Sequence, residues 1–141
     1  MRKVFSHSLI LVSLACASCG HRANGLYPVS GEVTFNGSPA SGAAVFFHRK
    51  GADRIKEQMM MGIVRENGAF ELVCGSSGKG APPGEYDVTI EWKDIPGQIR
   101  GRPRHGPDKL NGRYADPKNP RLHATIKQEP NRLAPFDLTE G

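Results

Sequence analysis

The chain has 141 residues, which is enough for one domain of ordinary size and excludes two. Hydrophobic residues make up 38% of the sequence and can support a core, and the formal net charge is +5. The 17 glycines and 11 prolines favour many short elements joined by turns.

The N-terminal segment has the pattern of an export signal. Arg2 and Lys3 form a basic start, and residues 4–15 are an apolar stretch. That stretch is too short to span a bilayer, which takes about 20 apolar residues. Small residues then lead into Cys16 and Cys19. This arrangement resembles the lipobox of bacterial lipoproteins, in which the cysteine thiol is acylated and becomes the new N-terminus.

Two cysteines compete for the lipid. We expect Cys19 over Cys16, because a glycine and a polar tail follow Cys19 directly. Ordinary secretory cleavage without a lipid remains an alternative. The predicted organisation is a signal peptide at 1–19, a tether at 20–28 and one domain at 29–139.

The third cysteine, Cys74, extends the alternation of a predicted strand and is expected to be a small buried side chain, so no disulfide is predicted within the domain.

The first two predicted strands cover residues 29–35 and 43–48. Val29, Gly31, Val33 and Phe35 share one face of the first, and Val45 and Phe47 share one face of the second. Asn36-Gly37 ends the first strand with the strongest short turn signal, since both residues tolerate a positive φ.

Residues 58–74 predict a hairpin around the turn Glu66-Asn67-Gly68. Its first strand, 58–65, is expected to face Met59, Met61 and Ile63 toward the core. Three consecutive methionines also occur in soft-metal and oxidation sites, but core fillers are the favoured interpretation. Its second strand, 69–74, is expected to face Phe70 and Leu72 inward.

The strongest strand pattern is at residues 84–92. Four apolar residues, Tyr86, Val88, Ile90 and Trp92, alternate with Asp87, Thr89 and Glu91. This period of two predicts a strand with one face on the core and one in water. Trp92, the only tryptophan, is expected to lie in the core.

Residues 93–121 interrupt the strand pattern with prolines, glycines and positive charge. The segment holds eight basic and three acidic residues, whereas the rest of the chain from Gly20 holds nine basic and eleven acidic. Such a long loop is usually functional or disordered. We expect it to contact an anionic surface, such as lipid headgroups, acidic envelope polysaccharide or a partner protein. The candidate contacts are Arg100, Arg102, Arg104 and Arg113. The alternative is a solvated loop without a partner, and export argues against nucleic acid.

Strands at 122–127 and 134–138 complete the pattern. Leu122, Ala124 and Ile126 are expected to face inward in the first, and Phe136 and Leu138 in the second. No segment has a credible amphipathic helical period. Seven short strands separated by turns predict an all-β fold, a single antiparallel seven-stranded β-sandwich of Greek-key type.

Three segments carry a closer likeness: VSGEVTFNGSPASGAAVFF, ENGAFEL and PPGEYDVTIEW. Their order resembles the carboxypeptidase-regulatory-like, transthyretin-like β-sandwich domains. The tail RYADPKNPRLHATIKQEPNRLAPFDL is similar to the ending of small lipoproteins of planctomycete-type bacteria. The resemblance implies a β-sandwich at the membrane-anchored, extracytoplasmic side of the cell envelope. It implies no catalytic activity and no cofactor, because the regulatory-like domains are themselves non-catalytic.

Two enzymatic alternatives stay open: a hydrolase and a dioxygenase on the same scaffold. The chain lacks the Tyr-Arg-Gly-Ser-type tail of the transthyretin-like hydrolases and ends in Asp137-Leu138-Thr139-Glu140-Gly141. Intradiol dioxygenases bind iron through two Tyr and two His, for which the candidates would be Tyr86, Tyr114, His105 and His123. No HExxH or His-x-His spacing occurs, and the CxxC formed by Cys16 and Cys19 lies in the predicted signal segment, so no metal site is predicted. A glycan- or protein-binding module that uses the basic loop is the third possibility.

Overall fold

The computed structural model of the protein describes residues 24–53, 55–94 and 106–140, which form strands and turns without a helix. The eleven strands are β1 (Val29–Phe35), β2 (Ser38–Pro39), β3 (Ala44–Arg49), β4 (Met60–Ile63), β5 (Ala69–Glu71), β6 (Val73–Cys74), β7 (Gly78–Lys79), β8 (Gly84–Glu91), β9 (Leu122–Ile126), β10 (Asn131–Arg132) and β11 (Phe136–Leu138). The all-β prediction is confirmed. Each of the seven predicted strands overlaps an observed strand, but the predicted strand at 69–74 is divided into β5 and β6. Within the described ranges, no helix is long and apolar enough to cross a membrane.

The first sheet is built around β1. Strands β5 and β2 pair with it in antiparallel orientation, and β10 and β11 pair with it in parallel orientation. The parallel pairings correct the expectation of a purely antiparallel fold. They arise because the C-terminal segment runs alongside β1 in the same direction, from Val29 opposite Asn131 to Phe35 opposite Leu138.

The second sheet has the strand order β7-β6-β4-β3-β8-β9, and every neighbouring pair in it is antiparallel. Strand β8 is the longest strand and pairs with β3 and β9. The predicted alternation in β8 holds for Tyr86, Val88 and Ile90, which are all buried.

Side chains from both sheets form one hydrophobic core. The Phe47 ring of β3 lies 6.4 Å from the Phe70 ring of β5 and 5.9 Å from the Tyr86 ring of β8, measured between centroids. The predicted inward positions of β1, β3, β5 and β11 are therefore confirmed, with Phe35 half-buried at the end of β1.

The predicted facing of the methionine strand is wrong. Met60, Gly62 and Val64 face the core, while Met59 is 63% exposed and Ile63 is 53% exposed. Both alternations are apolar, so the period of two could not choose between them. Steric space determines which face points inward. A Cβ on Gly62 would lie 2.8 Å from the Glu71 carbonyl oxygen, so only glycine fits against that backbone.

The predicted hairpin at 58–74 is divided between the two sheets. After the turn at Gly68, β5 pairs with β1 in the first sheet. The chain then changes sheets at Leu72, whose N–H donates to the Val29 carbonyl, and β6 pairs with β4 in the second sheet. Only the β4–β6 part of the predicted hairpin pairing is therefore confirmed.

Two side chains near the end of β8 also differ from expectation. Trp92 is only partly buried at the margin of the core, edge-on to Phe35 with 5.7 Å between ring centroids. Its indole N–H donates to the Ser41 carbonyl at 2.8 Å, which explains its position, since a buried indole needs an acceptor. Thr89, expected in water, is buried, and its hydroxyl lies 2.8 Å from Nε2 of His48.

Candidate functional site

The described part of the basic loop forms one wall of a cleft at the end of β1. The cleft has a volume of about 410 Å³. Phe35 contributes from β1, Lys109, Leu110, Asn111 and Arg113 from the loop, and Thr139 and Glu140 from the C-terminal segment. We call it the Arg113 cleft.

A turn built by Asp108 places the loop wall. One carboxylate oxygen of Asp108 accepts the backbone N–H groups of Trp92 and Leu110 at 2.9 and 3.1 Å, and the other accepts that of Gly112 at 2.9 Å. Asn111 has a φ of 52°, a left-handed conformation that asparagine tolerates. The turn therefore follows from local sequence chemistry.

The loop is fastened to the sheet on both sides of this turn. The Lys109 N–H donates to the Trp92 carbonyl at 2.8 Å, and the Ile90 N–H donates to the Tyr114 carbonyl at 2.9 Å. Leu110 and Tyr114 are buried. Residues 106–115 are thus a packed part of the fold, which the prediction of a loop without its own structure did not anticipate.

Lys109 is already partnered. Its ammonium lies 2.7 Å from an Asp94 carboxylate oxygen and 4.7 Å from the centroid of the Trp92 ring. Both contacts hold the charge at the rim of the Arg113 cleft, and the second is within the range of a cation–π interaction.

Arg113 is differently placed. Its guanidinium carbon lies 6.0 Å from the Tyr114 ring centroid, and its Nε is buried with no hydrogen-bond acceptor among the described residues. Leaving a buried donor unsatisfied costs about 1–3 kcal/mol, more for charged groups. Arg113 therefore lines the cleft with a guanidinium whose Nε makes no hydrogen bond to a described residue.

Tyr114 and Thr139 join the loop wall of the cleft to the C-terminal segment. The Thr139 N–H donates to the Tyr114 hydroxyl at 3.2 Å, and that hydroxyl donates to the Thr139 carbonyl at 3.4 Å. The backbone hydrogen bond from Thr139, more than the charges of Arg113 and Arg121, lowers the pKa of the Tyr114 phenol. This pairing fixes the C-terminal wall against the loop wall.

The other predicted contact residues fall outside the described residues. These are Arg100, Arg102 and Arg104 of the basic loop. The two lipidation candidates, Cys19 and Cys16, also lie outside the described residues. Arg113 alone of the candidate site residues is placed by the structure, and it lines the cleft.

The three described residues of the iron-site alternative, Tyr86, Tyr114 and His123, have different partners and do not converge. Tyr86 is buried and donates its hydroxyl to the Pro82 carbonyl at 2.8 Å. Its register partner on β9 is Ala124, so the neighbouring His123 lies on the opposite face of the sheet. There Nδ1 of His123 lies 2.9 Å from Asp87. The Tyr114 hydroxyl is bonded to Thr139 of the C-terminal segment, and His105 lies outside the described residues.

Metal-binding and nucleophilic chemistry find little support elsewhere in the described ranges. No group of three His, Cys, Asp or Glu residues there could hold a metal ion. The Cys74 thiol is buried beside Gln58 Oε1 at 3.4 Å. Burial first, and the charge of Glu57 second, raise the pKa of this thiol, which disfavours the reactive thiolate.

Sequence reasoning missed Asp108, Lys109 and the Tyr114–Thr139 pair. The Asn111-Gly112 dipeptide was the available signal, since it is the same turn pattern as Asn36-Gly37, and both pairs adopt positive φ. The Tyr114–Thr139 pair had no local signal, because its members are 25 residues apart.

Comparisons with known proteins give no family. Neither a protein-family model nor a curated protein matches the chain. Among solved structures, a 9R-lipoxygenase from Cyanothece matches with a TM-score of 0.45 and 12% identity, covering 82% of this chain and 17% of that one. A DUF3823 family protein from Parabacteroides merdae matches with a TM-score of 0.37 and 13% identity, covering 80% of this chain and 44% of that one. The chain thus spans less than half the length of either protein, and no property of either is transferred to it.

Proposed function

We propose that this is a non-catalytic protein, lipid-anchored at the outer side of a bacterial membrane, that binds an anionic group of an envelope polymer in the Arg113 cleft. The observation that carries the proposal is the buried Arg113 Nε without an acceptor among the described residues. Arg113 lines the cleft, and a carboxylate or phosphate bound there would supply the missing acceptor once the side chain turns its Nε toward the ligand. Arginine is suited to both, because its planar fork donates two parallel hydrogen bonds.

The charge around the cleft supports an anionic ligand. Glu140 is the one acidic residue that lines it, and Glu140 is exposed. Lys109 stands at the rim with its ammonium paired to Asp94. The basic residues Arg100, Arg102 and Arg104 belong to the same loop and would add long-range attraction for a polymer that carries many charges.

The proposed architecture is a sandwich in which the two sheets stack on their shared core. Contact between Phe47 of the second sheet and Phe70 of the first supports it, as does a single core cluster that draws on both sheets. Loops at the end of such a scaffold are where binding residues collect. The lipid anchor is supported by the sequence pattern before Cys19 and Cys16.

Binding of the full-length protein in detergent micelles to polygalacturonate, a carboxylate polymer, tests the proposal, with polyphosphate as the second probe. Arg113→Gln should weaken binding about tenfold or more, as expected for loss of a charge-assisted hydrogen bond. The matched control is Arg132→Gln, since Arg132 is exposed and pairs only loosely with Glu32 at 3.7 Å. Equal affinity of the wild type and Arg113→Gln for both polymers would reject the proposal.

A further inference from the structure

An apolar surface covers the outer face of β4 and β6. Met59, Ile63 and Val73 are 63%, 53% and 39% exposed, and Met61 stands beside Val73 in the sheet register. Together they line a shallow groove of about 330 Å³. We call this surface the methionine face. Outer sheet faces in water are normally polar, and a contiguous apolar patch indicates an interaction site.

A fifth apolar side chain lies at the same end of the sheet as Met59. Ile55, in the connection from β3 to β4, is 94% exposed. A local turn holds it there: its N–H donates to the Asp53 carboxylate at 3.1 Å, and the Lys56 and Glu57 N–H groups donate to the Asp53 carbonyl. This turn leaves the isoleucine side chain in solvent.

The described chain begins close to this end of the methionine face. The Asn24 side-chain amide donates to the Ser77 carbonyl at 3.2 Å, and the Gly75 N–H of the same turn donates to the Met59 carbonyl at 2.8 Å. Cys19 precedes Asn24 by five residues. Five residues reach at most roughly 18 Å when fully extended. A lipid on Cys19 would therefore keep this end of the domain next to the membrane.

We infer that the methionine face and Ile55 lie against the lipid bilayer in which the protein is anchored. The inference rests on the proposed lipid anchor and adds the orientation of the domain to it. Arg65 and Lys79 flank the face with exposed side chains, and both pair with Glu71, which also lines the groove, at 3.0 and 3.7 Å. At a membrane surface the two cations can exchange Glu71 for lipid phosphates, while their apolar stems lie along the patch. A short tether and an apolar face with basic residues at its edge are complementary to a membrane interface.

Photolabelling of the full-length protein in vesicles that contain a diazirine phospholipid tests this orientation. Trypsin releases residues 57–65, which carry Met59, Met61 and Ile63, and residues 122–127 of β9, whose outer face lies at the far edge of the same sheet. Lipid adducts should be several-fold more abundant on 57–65 than on 122–127. The double variant Met59→Gln, Ile63→Thr should lose this excess, and the matched pair Glu85→Gln, Thr125→Ser should keep it.

The outcomes separate the two proposals. If the protein sediments with the vesicles but adducts on 57–65 do not exceed those on 122–127, the anchor stands and the orientation is wrong. If the face is instead covered by a second copy, adducts on 57–65 stay low and the detergent-solubilised protein sediments as a dimer, which also overturns the inference. If the protein does not associate with vesicles at all, the anchor and the orientation both fail.

Discussion

A side chain on Gly31 would overlap the ring of Phe70: its Cβ would lie 2.7 Å from Cε1 and 2.8 Å from Cζ. From the other sheet, a Cβ on Gly62 would lie 3.0 Å from Cδ2 of the same ring. Two glycines, one in each sheet, therefore make the space that the buried Phe70 occupies. The stacked Phe136 ring, 6.3 Å away between centroids, lies beside it.

Gly31→Ala should lower the free energy of unfolding by about 1–3 kcal/mol, as overpacking of a filled core does. Phe70→Leu should partly suppress that loss, because the overlap is with the ring. It should not suppress the loss from Gly62→Ala, whose Cβ would also meet the Glu71 carbonyl oxygen. Urea unfolding of the double-mutant cycles measures both couplings. Simple additivity of Gly31→Ala and Phe70→Leu would contradict this account of the core.

Tyr86 should make the fold sensitive to high pH. Burial raises the pKa of its phenol to about 12, from an ordinary value near 10. Because the unfolded chain loses this proton first, the stabilisation is complete below pH 10 and falls between pH 10 and 12, by up to about 1.4 kcal/mol per pH unit. Tyr86→Phe should lower the free energy of unfolding by about 1 kcal/mol at neutral pH, because the hydrogen bond to the Pro82 carbonyl is lost. Its stability should not fall steeply between pH 10 and 12. Parallel pH profiles for wild type and variant would exclude this role.

Replacing both Cys16 and Cys19 by Ser should release the protein from the membrane fraction. A diacylglyceryl group on one thioether, together with a third acyl chain on the new N-terminus, would exceed the two signals that stable anchoring needs. Fractionation with Cys74→Ser as the control measures this. Retention of the double variant in the pellet would show that no lipid anchor holds the protein.

Changing Arg100, Arg102 and Arg104 together to Ser should weaken binding to anionic polymer without lowering thermal stability. The reason is electrostatic, so the difference between wild type and variant should shrink with salt, as the screening length falls from about 10 Å at 0.1 M to about 3 Å at 1 M. Binding that is unaffected by both the change and the salt would mean that this part of the loop is only a solvated connection.

The sequence predicted those parts of the fold that depend on local chemistry. The turn at Asn36-Gly37 has both residues at positive φ, and the alternation of Tyr86, Val88 and Ile90 places all three in the core. The inward face of the methionine strand was predicted wrongly because both of its faces are apolar. The contact that fixes it, between Gly62 and Glu71, involves another strand. The change of sheets at Leu72 likewise depends on β1, which lies some 40 residues earlier in the chain.

The candidate site was predicted only in outline. Charge counting selected the loop and Arg113, since an excess of basic residues is visible without any structure. It could not show that Asp94 takes up the Lys109 charge while Arg113 Nε finds no described acceptor. Those differences follow from packing onto β8 and the C-terminal segment, through contacts such as Tyr114–Thr139.

The most direct measurement of the central claim is the dissociation constant for polygalacturonate of Arg113→Lys compared with wild type and Arg113→Gln. Lysine keeps the charge but lacks the guanidinium fork and Nε. The account predicts that Arg113→Lys binds several-fold more weakly than wild type and more tightly than Arg113→Gln, with Arg132→Gln unchanged. Affinities that are the same for all four proteins, with polygalacturonate and with polyphosphate alike, would contradict an anion site at Arg113.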